Sequence, residues 1–302
     1  QPDQPRLPEA VLENLGFPVF DVRKISRSPS SVVFSLRRHD PSAPREVLKV
    51  LTAHEASALE IPEGTIHPGI LPVNVSGQGK AAAGRIFWYL MPWLENPLTL
   101  RQALISRLEA TDSTRSTAGI LVWLAGRLDE AAAALTALHS RGLAHLDIKP
   151  DNMLVADEGR LVIADTASCR FLRGKDQCGV TLTRYYAHPD LRTLLSEAAT
   201  LDRQALILPR NKLSFVHDLY SLGLSILELL SLLDTRHPGS LPYDPVFSWL
   251  HLAACRMLDG HNLPSSEPEM LSEIWPGLGR EELALLRYRS MDAVSSDFAK
   301  LV

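Results

Sequence analysis

The stretch His145-Leu146-Asp147-Ile148-Lys149-Pro150-Asp151-Asn152 decides how the rest of this 302-residue chain is interpreted. An apolar, mostly helical run precedes it, and the strand-like run Met153-Leu154-Val155 follows it. A polar turn with a capping Asp before a strand accounts for Asp147 and Asn152 alone. It does not account for the whole octet, in which Lys149 also has a fixed place, so the stretch indicates a functional loop.

The octet resembles the catalytic loop of the protein-kinase superfamily, in which His-Arg-Asp is followed by four residues and an Asn. The resemblance implies that Asp147 accepts the proton of an attacking hydroxyl, that Lys149 neutralises the transferred phosphoryl group, and that Asn152 binds Mg²⁺. Asp165 follows the strand-like run Leu161-Val162-Ile163-Ala164, eighteen residues after Asp147 (165 − 147). It corresponds to the metal-binding Asp of the kinase Asp-Phe-Gly triplet. The implied cofactors are ATP and Mg²⁺.

Two kinds of periodicity divide the chain. Up to about residue 90, short runs with β-type alternation lie between turn residues. The five predicted strands are Val19 to Ile25, Val32 to Leu36, Val47 to Leu51, Ile70 to Val75 and Ile86 to Leu90. Later runs, such as Leu98 to Leu108 and Ile120 to Arg141, have helical spacing. We therefore expect an α+β, two-lobed, protein-kinase-like fold, with an antiparallel-sheet lobe over residues 1–92 and a helical lobe over residues 93–302.

Lys49 lies among apolar residues of the third predicted strand, where an unpaired charge is costly to bury. The strand resembles the kinase Val-Ala-Ile-Lys strand, whose Lys grips the nucleotide phosphates and pairs with a helix Glu. An edge-strand lysine is the alternative. Glu55 and Glu60 both qualify as the partner, on a helix predicted over Thr52 to Ile61, and Glu60 is favoured. Met91-Pro92-Trp93-Leu94 corresponds to the hinge that holds adenine, which adds Met91 to the cofactor site.

Three departures from the kinase pattern stand out. Residues 23 to 38 contain no glycine, although kinases place Gly-x-Gly-x-x-Gly there, and the turn holds Pro29. Phosphate binding has therefore either shifted onto Lys49, Mg²⁺ and the second lobe, or been abandoned. The triplet reads Asp165-Thr166-Ala167, without the Phe and the Gly. Leu146 replaces an Arg that binds a phosphate on the activation loop, so control through that phosphate is not expected.

A glycine-free loop beside an intact catalytic set is similar to the with-no-Gly-loop kinases of coccidian parasites, relatives of the rhoptry kinases that include a bradyzoite pseudokinase. This resemblance implies a secreted protein of the parasitophorous vacuole or cyst wall. Residues 168 to 186 correspond to the activation loop, here called the activation segment, and residues 191 to 212 to an insertion. In a secreted protein, Cys169 and Cys178 would be able to form a disulfide, with two free thiols as the alternative.

The remaining expectations concern partners. The formal net charge of −4 gives no reason to expect nucleic acid, and no run of eighteen apolar residues indicates a membrane span. The sequence carries no signal for an oligomeric state.

Three functions fit: a Ser/Thr protein kinase acting on protein substrates, a pseudokinase that binds partners, and a small-molecule kinase. The third is disfavoured because Val216 to Gly223 resembles the protein-kinase pattern Asp-x-Tyr/Trp-Ser-Leu-Gly, whose Asp, here Asp218, caps the catalytic-loop backbone.

Overall fold

A computed structural model describes residues 11, 13, 15–27, 31–51, 60–81, 84–110, 117–156, 159–174, 176–194, 203–236, 250, 254, 257 and 258. Five strands before residue 93 form one antiparallel sheet in the order β1-β2-β3-β5-β4. Their bounds are Val19–Arg27 (β1), Ser31–Arg38 (β2), Arg45–Leu51 (β3), Val75–Ala81 (β4) and Gly84–Pro92 (β5). The predicted α+β architecture, a small antiparallel sheet followed by a helical part, is confirmed.

The fourth strand lies later in the chain than predicted, since the run Ile70 to Val75 is not a strand. Ile70 and Leu71 are both buried, so the run lacks the one exposed face of an edge strand. Instead, Ile70 forms a parallel bridge to Ile163, whose carbonyl accepts a hydrogen bond from Leu71 N at 2.9 Å. This segment therefore connects the sheet to the helical part of the protein.

The true fourth strand escaped prediction because it contains glycines. Gly77 pairs directly with Trp88 of β5, and a Cβ on Gly77 would lie 2.3 Å from the indole ring. The glycine is therefore required by the close approach of a buried tryptophan, although glycine weakens a strand pattern in a sequence.

Helices dominate the rest of the described chain. Their bounds are Leu100–Glu109 (α1), Thr117–His139 (α2), Pro189–Arg192 (α3) and Phe215–Arg236 (α4). Helix α1 begins at Leu100 because Thr99 and Gln102 form a reciprocal capping box. Short strands in this part are Leu98–Thr99 (β6), Leu143–Ala144 (β7), Met153–Val155 (β8), Leu161–Ile163 (β9) and Arg170–Phe171 (β10).

A hairpin that the sequence did not predict follows the catalytic loop. Strand β11, Gln177–Thr183, pairs with strand β12, Arg203–Pro209, in antiparallel register from Gln177↔Pro209 to Thr183↔Arg203. Strand β11 belongs to the activation segment and β12 to the predicted insertion. The insertion thus supplies a strand partner to the activation segment.

Helix α4 runs through the core. Its stretch Phe215–Leu233 is long and apolar enough to cross a membrane by length and composition, and 78% of its most apolar window is buried inside the fold. Two of its serines form hydrogen bonds within the helix: Ser221 Oγ donates to His217 O at 2.9 Å and Ser225 Oγ donates to Ser221 O at 2.7 Å. These features are typical of a core helix, and the absence of a membrane span stays a prediction.

Several predictions fall outside the described residues, namely the turn at 28–30, the helix at 52–59 and the helices after residue 258. Cys169 and Cys178 are described, and both are buried free thiols, so the conditional disulfide is not formed. Burial raises the pKa of each thiol, which keeps both in the protonated, weakly nucleophilic form.

We expect Gly77→Ala to destabilise the protein by about 1–3 kcal/mol, because the new methyl group overlaps Trp88 and the packed sheet must shift. The gain in strand propensity is smaller, about 0.5–1 kcal/mol. Gly126→Ala is the matched control, since the added methyl group would meet no heavy atom within 4 Å outside its own helix, and alanine favours the helix interior. Urea unfolding measures both, and equal midpoints for the two variants would contradict the clash.

Candidate active site

The buried carboxylate of Asp218 fixes the catalytic loop. Its oxygens accept hydrogen bonds from the backbone nitrogens of His145 and Leu146, each at 2.7 Å, and from His139 Nε2 at 2.9 Å. Leu146 has a left-handed backbone with φ of +67°, which a bulky residue adopts only when its surroundings enforce it. Burial acts to raise the pKa of Asp218, but hydrogen bonding and charge from His139 bring it below its ordinary value.

The loop presents Asp147 within a dense set of donors. Lys149 Nζ lies 3.0 Å from Asp147 Oδ2, Asn152 Nδ2 lies 2.9 Å from the same oxygen, and Thr183 Oγ1 donates to Oδ1 at 2.6 Å. Lys149 Nζ also donates to Thr183 Oγ1 at 2.5 Å. These contacts hold the carboxylate in one orientation, and the Asp147 side chain is fully buried.

The second charged pair joins the sheet to the helical part. Lys49 Nζ of β3 lies 2.6 Å from Asp165 Oδ1, and both side chains are largely buried. Asp165 has a left-handed backbone with φ of +59°. The residue before it, Ala164, is hydrogen-bonded to the catalytic loop. Ala164 N donates to Asn152 O at 2.8 Å, and His145 Nε2 donates to Ala164 O at 3.0 Å.

The oxygen donors of Asn152 and Asp165 fit the Mg²⁺ that the sequence predicts. Both contacts of Asn152 Nδ2 are oxygens of Asp147, the side-chain Oδ2 and the main-chain carbonyl at 2.7 Å, so the amide oxygen points elsewhere. That oxygen and the carboxylate of Asp165 are the hard ligands that Mg²⁺ prefers. Among the described residues no group of three or more His, Cys, Asp or Glu side chains forms a metal cage, and Mg²⁺ bound with nucleotide phosphates needs none.

Met91 lies near the end of β5, where it is buried and pairs with Val47 of β3. This places the predicted hinge, Met91 to Leu94, directly between the sheet and helix α1. Its role as a cofactor contact stays a prediction.

Glu60 lies away from its predicted partner. Within the described part of the chain, Lys49 pairs with Asp165, while Glu60 forms two contacts with Arg210, at 2.6 and 2.7 Å. The expected Lys49–Glu60 pair is therefore wrong. The physical reason is that the Arg210 guanidinium offers two parallel donors to one carboxylate, which a lysine cannot do. Glu55 lies outside the described residues.

Comparisons with known proteins find similarity to protein kinases. The protein kinase domain model matches residues 126–235. The serine/threonine-protein kinase PknD of Chlamydia trachomatis serovar L2b is 31% identical over 120 residues, which are 37% of this chain and 12% of PknD. Serine/threonine-protein kinase 16 of Mus musculus is 26% identical over 211 residues, 66% of this chain and 61% of that kinase. The 3-phosphoinositide-dependent protein kinase 1 of Arabidopsis thaliana is 30% identical over 122 residues, 40% of this chain and 22% of that protein.

The fold is that of a protein kinase. The chain spans less than two thirds of the length of each of these relatives. These relatives support the resemblance to the kinase superfamily and do not test the resemblance to the narrower coccidian family.

The candidate active site includes one residue that the sequence did not predict. Thr183 bridges Lys149 and Asp147, 36 residues after Asp147 (183 − 147). It lies at the end of β11, in a segment whose strand partner comes from the insertion. No local signal marks it, because its position depends on that non-local pairing.

We expect Asp218→Asn to lower the free energy of unfolding by about 3 kcal/mol at pH 7, since the amide removes the charge and replaces one of the two acceptor oxygens with an NH2 group that faces other donors. The pKa of Asp218 is lower in the folded protein than its ordinary value of 3.8, so its stabilising contribution is complete above pH 3.8 and declines as the pH falls below it. The difference in unfolding free energy between wild type and variant, measured by urea unfolding, should therefore become smaller below pH 3.8.

The control is Glu109→Gln, an exposed carboxylate at the end of helix α1. It should change the unfolding free energy by less than about 0.5 kcal/mol. If the difference in unfolding free energy between wild type and Asp218→Asn stays constant as the pH falls below 3.8, Asp218 is not ionised in the folded protein.

Proposed function

We propose that the protein is a serine/threonine protein kinase that uses ATP and Mg²⁺ to phosphorylate hydroxyl groups of protein substrates. The observation that carries the proposal is the placement of Asp147 between Lys149, Asn152 and Thr183, next to the Lys49–Asp165 pair. Apart from Thr183, these groups are of the types that serve phosphoryl transfer in protein kinases.

In this mechanism the acceptor hydroxyl oxygen forms a bond to the γ-phosphorus as the bond from that phosphorus to the ADP oxygen breaks. The hydroxyl proton passes to Asp147. The Asp147 side chain is fully buried, while Lys149 keeps some exposure. Lys149 therefore has to turn towards the phosphoryl group as the substrate arrives, and this movement opens Asp147 to the hydroxyl.

Nucleotide binding rests on three residues of this chain. Lys49 would contact the phosphates, and Asp165 and Asn152 would hold Mg²⁺. The metal supplies neutralisation of phosphate charge when bound. Because residues 23 to 38 lack glycine, backbone N–H groups contribute less, and these three side chains carry a larger share of the affinity.

Serine or threonine is the proposed acceptor. Lys149 next to the catalytic Asp is usual in Ser/Thr kinases, and two relatives are named serine/threonine-protein kinases. The coccidian with-no-Gly-loop assignment and a secreted location in a vacuole or cyst wall stay predictions.

A pseudokinase is the second candidate function. The buried carboxylate of Asp147 favours it, together with the glycine-free turn. In that case the cleft would bind a protein partner without turnover.

The proposal is tested with labelled ATP, Mg²⁺ and a generic basic protein as substrate. We expect transfer to Ser or Thr by wild type and none by Asp147→Asn, while the variant binds ATP with nearly unchanged affinity because the carboxylate faces the hydroxyl. Asp40→Asn, an exposed carboxylate in the β2–β3 turn, is the control and should remain active. Nucleotide binding by an inactive wild type would favour the pseudokinase.

A second prediction concerns the metal. Calorimetric titration of ATP should show binding in Mg²⁺ and at least about tenfold weaker binding in EDTA, a loss of about 1.4 kcal/mol. Asp165→Ala should reproduce this loss in the presence of Mg²⁺, because one of the two metal ligands is gone. Equal affinities with and without Mg²⁺ would show that the metal does not anchor the nucleotide.

A further inference from the structure

An ion pair links the two lobes at a point outside the catalytic set. The Arg210 guanidinium contacts both oxygens of Glu60, with Nη2–Oε1 at 2.6 Å and Nη1–Oε2 at 2.7 Å. The two side chains are only 15% and 14% exposed. A pair with this parallel geometry and little solvent is stronger than an ordinary surface salt bridge.

The same two residues also hold the activation segment. Glu60 Oε2 accepts from Phe171 N at 2.8 Å, and Arg210 Nη1 donates to Phe171 O at 2.9 Å. Arg210 N donates to Asp176 O at 3.3 Å. Gly174 leaves room for the arginine, because a Cβ there would lie 3.1 Å from Arg210 Cδ. The pair thus connects Glu60, which belongs to the helix predicted over Thr52 to Ile61, to the activation segment at Phe171 and Asp176.

The β11–β12 hairpin carries this connection to the active site. Arg210 follows Pro209, the residue of β12 that pairs with Gln177 at one end of the hairpin. At the other end lies Thr183, which donates to Asp147. The two ends are separated by about 20 Å, at about 3.3 Å per strand residue. Fixing one end of a paired hairpin restricts the position of the other.

An apolar cluster replaces the phosphate contact that many kinases use here. Leu146, at the position of the phosphate-binding arginine, is 4% exposed and belongs to a buried cluster with residues of both hairpin strands. That cluster includes Val180 and Leu182 of β11 and Leu208 of β12. A phosphate brought close to this leucine would lose hydration without gaining a donor.

We propose that Arg210 is a positioning residue, and that its ion pair with Glu60 holds the activation segment in its catalytic conformation without phosphorylation. The inference rests on the proposed kinase function. Glu60 is the negative partner and belongs to the antiparallel-sheet lobe. A phosphate on the activation segment near this pair would be repelled by Glu60 and would compete with it for Arg210. The internal arginine removes the need for a modification.

The test compares Arg210→Gln, Glu60→Gln and the double variant, using protein purified with phosphatase and verified as unphosphorylated by mass spectrometry. We expect Arg210→Gln to lower kcat about tenfold, equivalent to about 1.4 kcal/mol, with little change in the KM for ATP. Amide hydrogen exchange over residues 177–183 should become faster. Arg210→Lys should recover part of the loss because it keeps the charge without the bidentate geometry.

The kcat of the double variant should be no lower than that of the less active single variant. Each single change leaves an unpartnered charge, which the second change removes. Lys212→Gln, an exposed cation two residues after Arg210, is the matched control and should leave both measurements unchanged.

Unchanged exchange over residues 177–183 in Arg210→Gln would overturn the proposal, as would a wild type that is active only when its activation segment is phosphorylated. If wild type transfers no phosphoryl group, the proposed function fails, but the exchange measurements still decide whether the ion pair orders the hairpin. A variant that fails to fold is replaced by Arg210→Lys, for which the same exchange comparison applies.

Discussion

The carboxylate of Asp218 is a charge buried in the core, and its desolvation is tolerable only because three donors surround it. Two of these donors are backbone groups of the catalytic loop, so the acid and the loop depend on each other. The hydrogen bonds hold Leu146 in a left-handed conformation, and this conformation turns Asp147 towards Thr183 and Lys149. Helix α4 carries Asp218 and is itself fixed by its burial. The geometry of the active site therefore derives from the packing of one core helix.

The sequence was most informative where function and structure lie close together in the chain. The catalytic octet and the segment around Asp218 are contiguous motifs, and a short spacing fixes the relative positions of their residues. The β11–β12 hairpin is different, because its strands are separated by the segment 184–202 and nothing next to β11 in the chain identifies its pairing partner. Glu60 was misassigned for a related reason: a long, flexible side chain selects the best donor in three dimensions, and Arg210 is 150 residues away.

The sheet shows the opposite limitation, in which local patterns mislead. The run Ile70 to Val75 has the composition of a strand, but Ile70, Leu71 and Val73 are buried and Ile70 forms a bridge to Ile163 in the helical part. The real strand contains Gly77, and the indole ring of Trp88 occupies the space that a side chain at this position would need. In both cases tertiary packing overrides the intrinsic preference of the segment. The prediction of five strands is confirmed because these errors displace one strand along the chain, from Ile70 to Val75 to Val75–Ala81, and leave the number of strands unchanged.

One departure from the kinase pattern, the triplet Asp165-Thr166-Ala167, restrains the backbone next to the active site. Where kinases carry Phe and Gly after the metal-binding Asp, Thr166 and Ala167 lie in a short 3₁₀ turn, Thr166–Ser168. This turn is tied down by Ser168 Oγ, which donates to Asp165 O at 3.1 Å, and by the buried Arg170, which donates to Ala167 O at 2.8 Å. Without the glycine, the backbone around Asp165 has fewer accessible conformations. These restraints favour the conformation in which Asp165 faces Lys49 and disfavour a flip of the triplet.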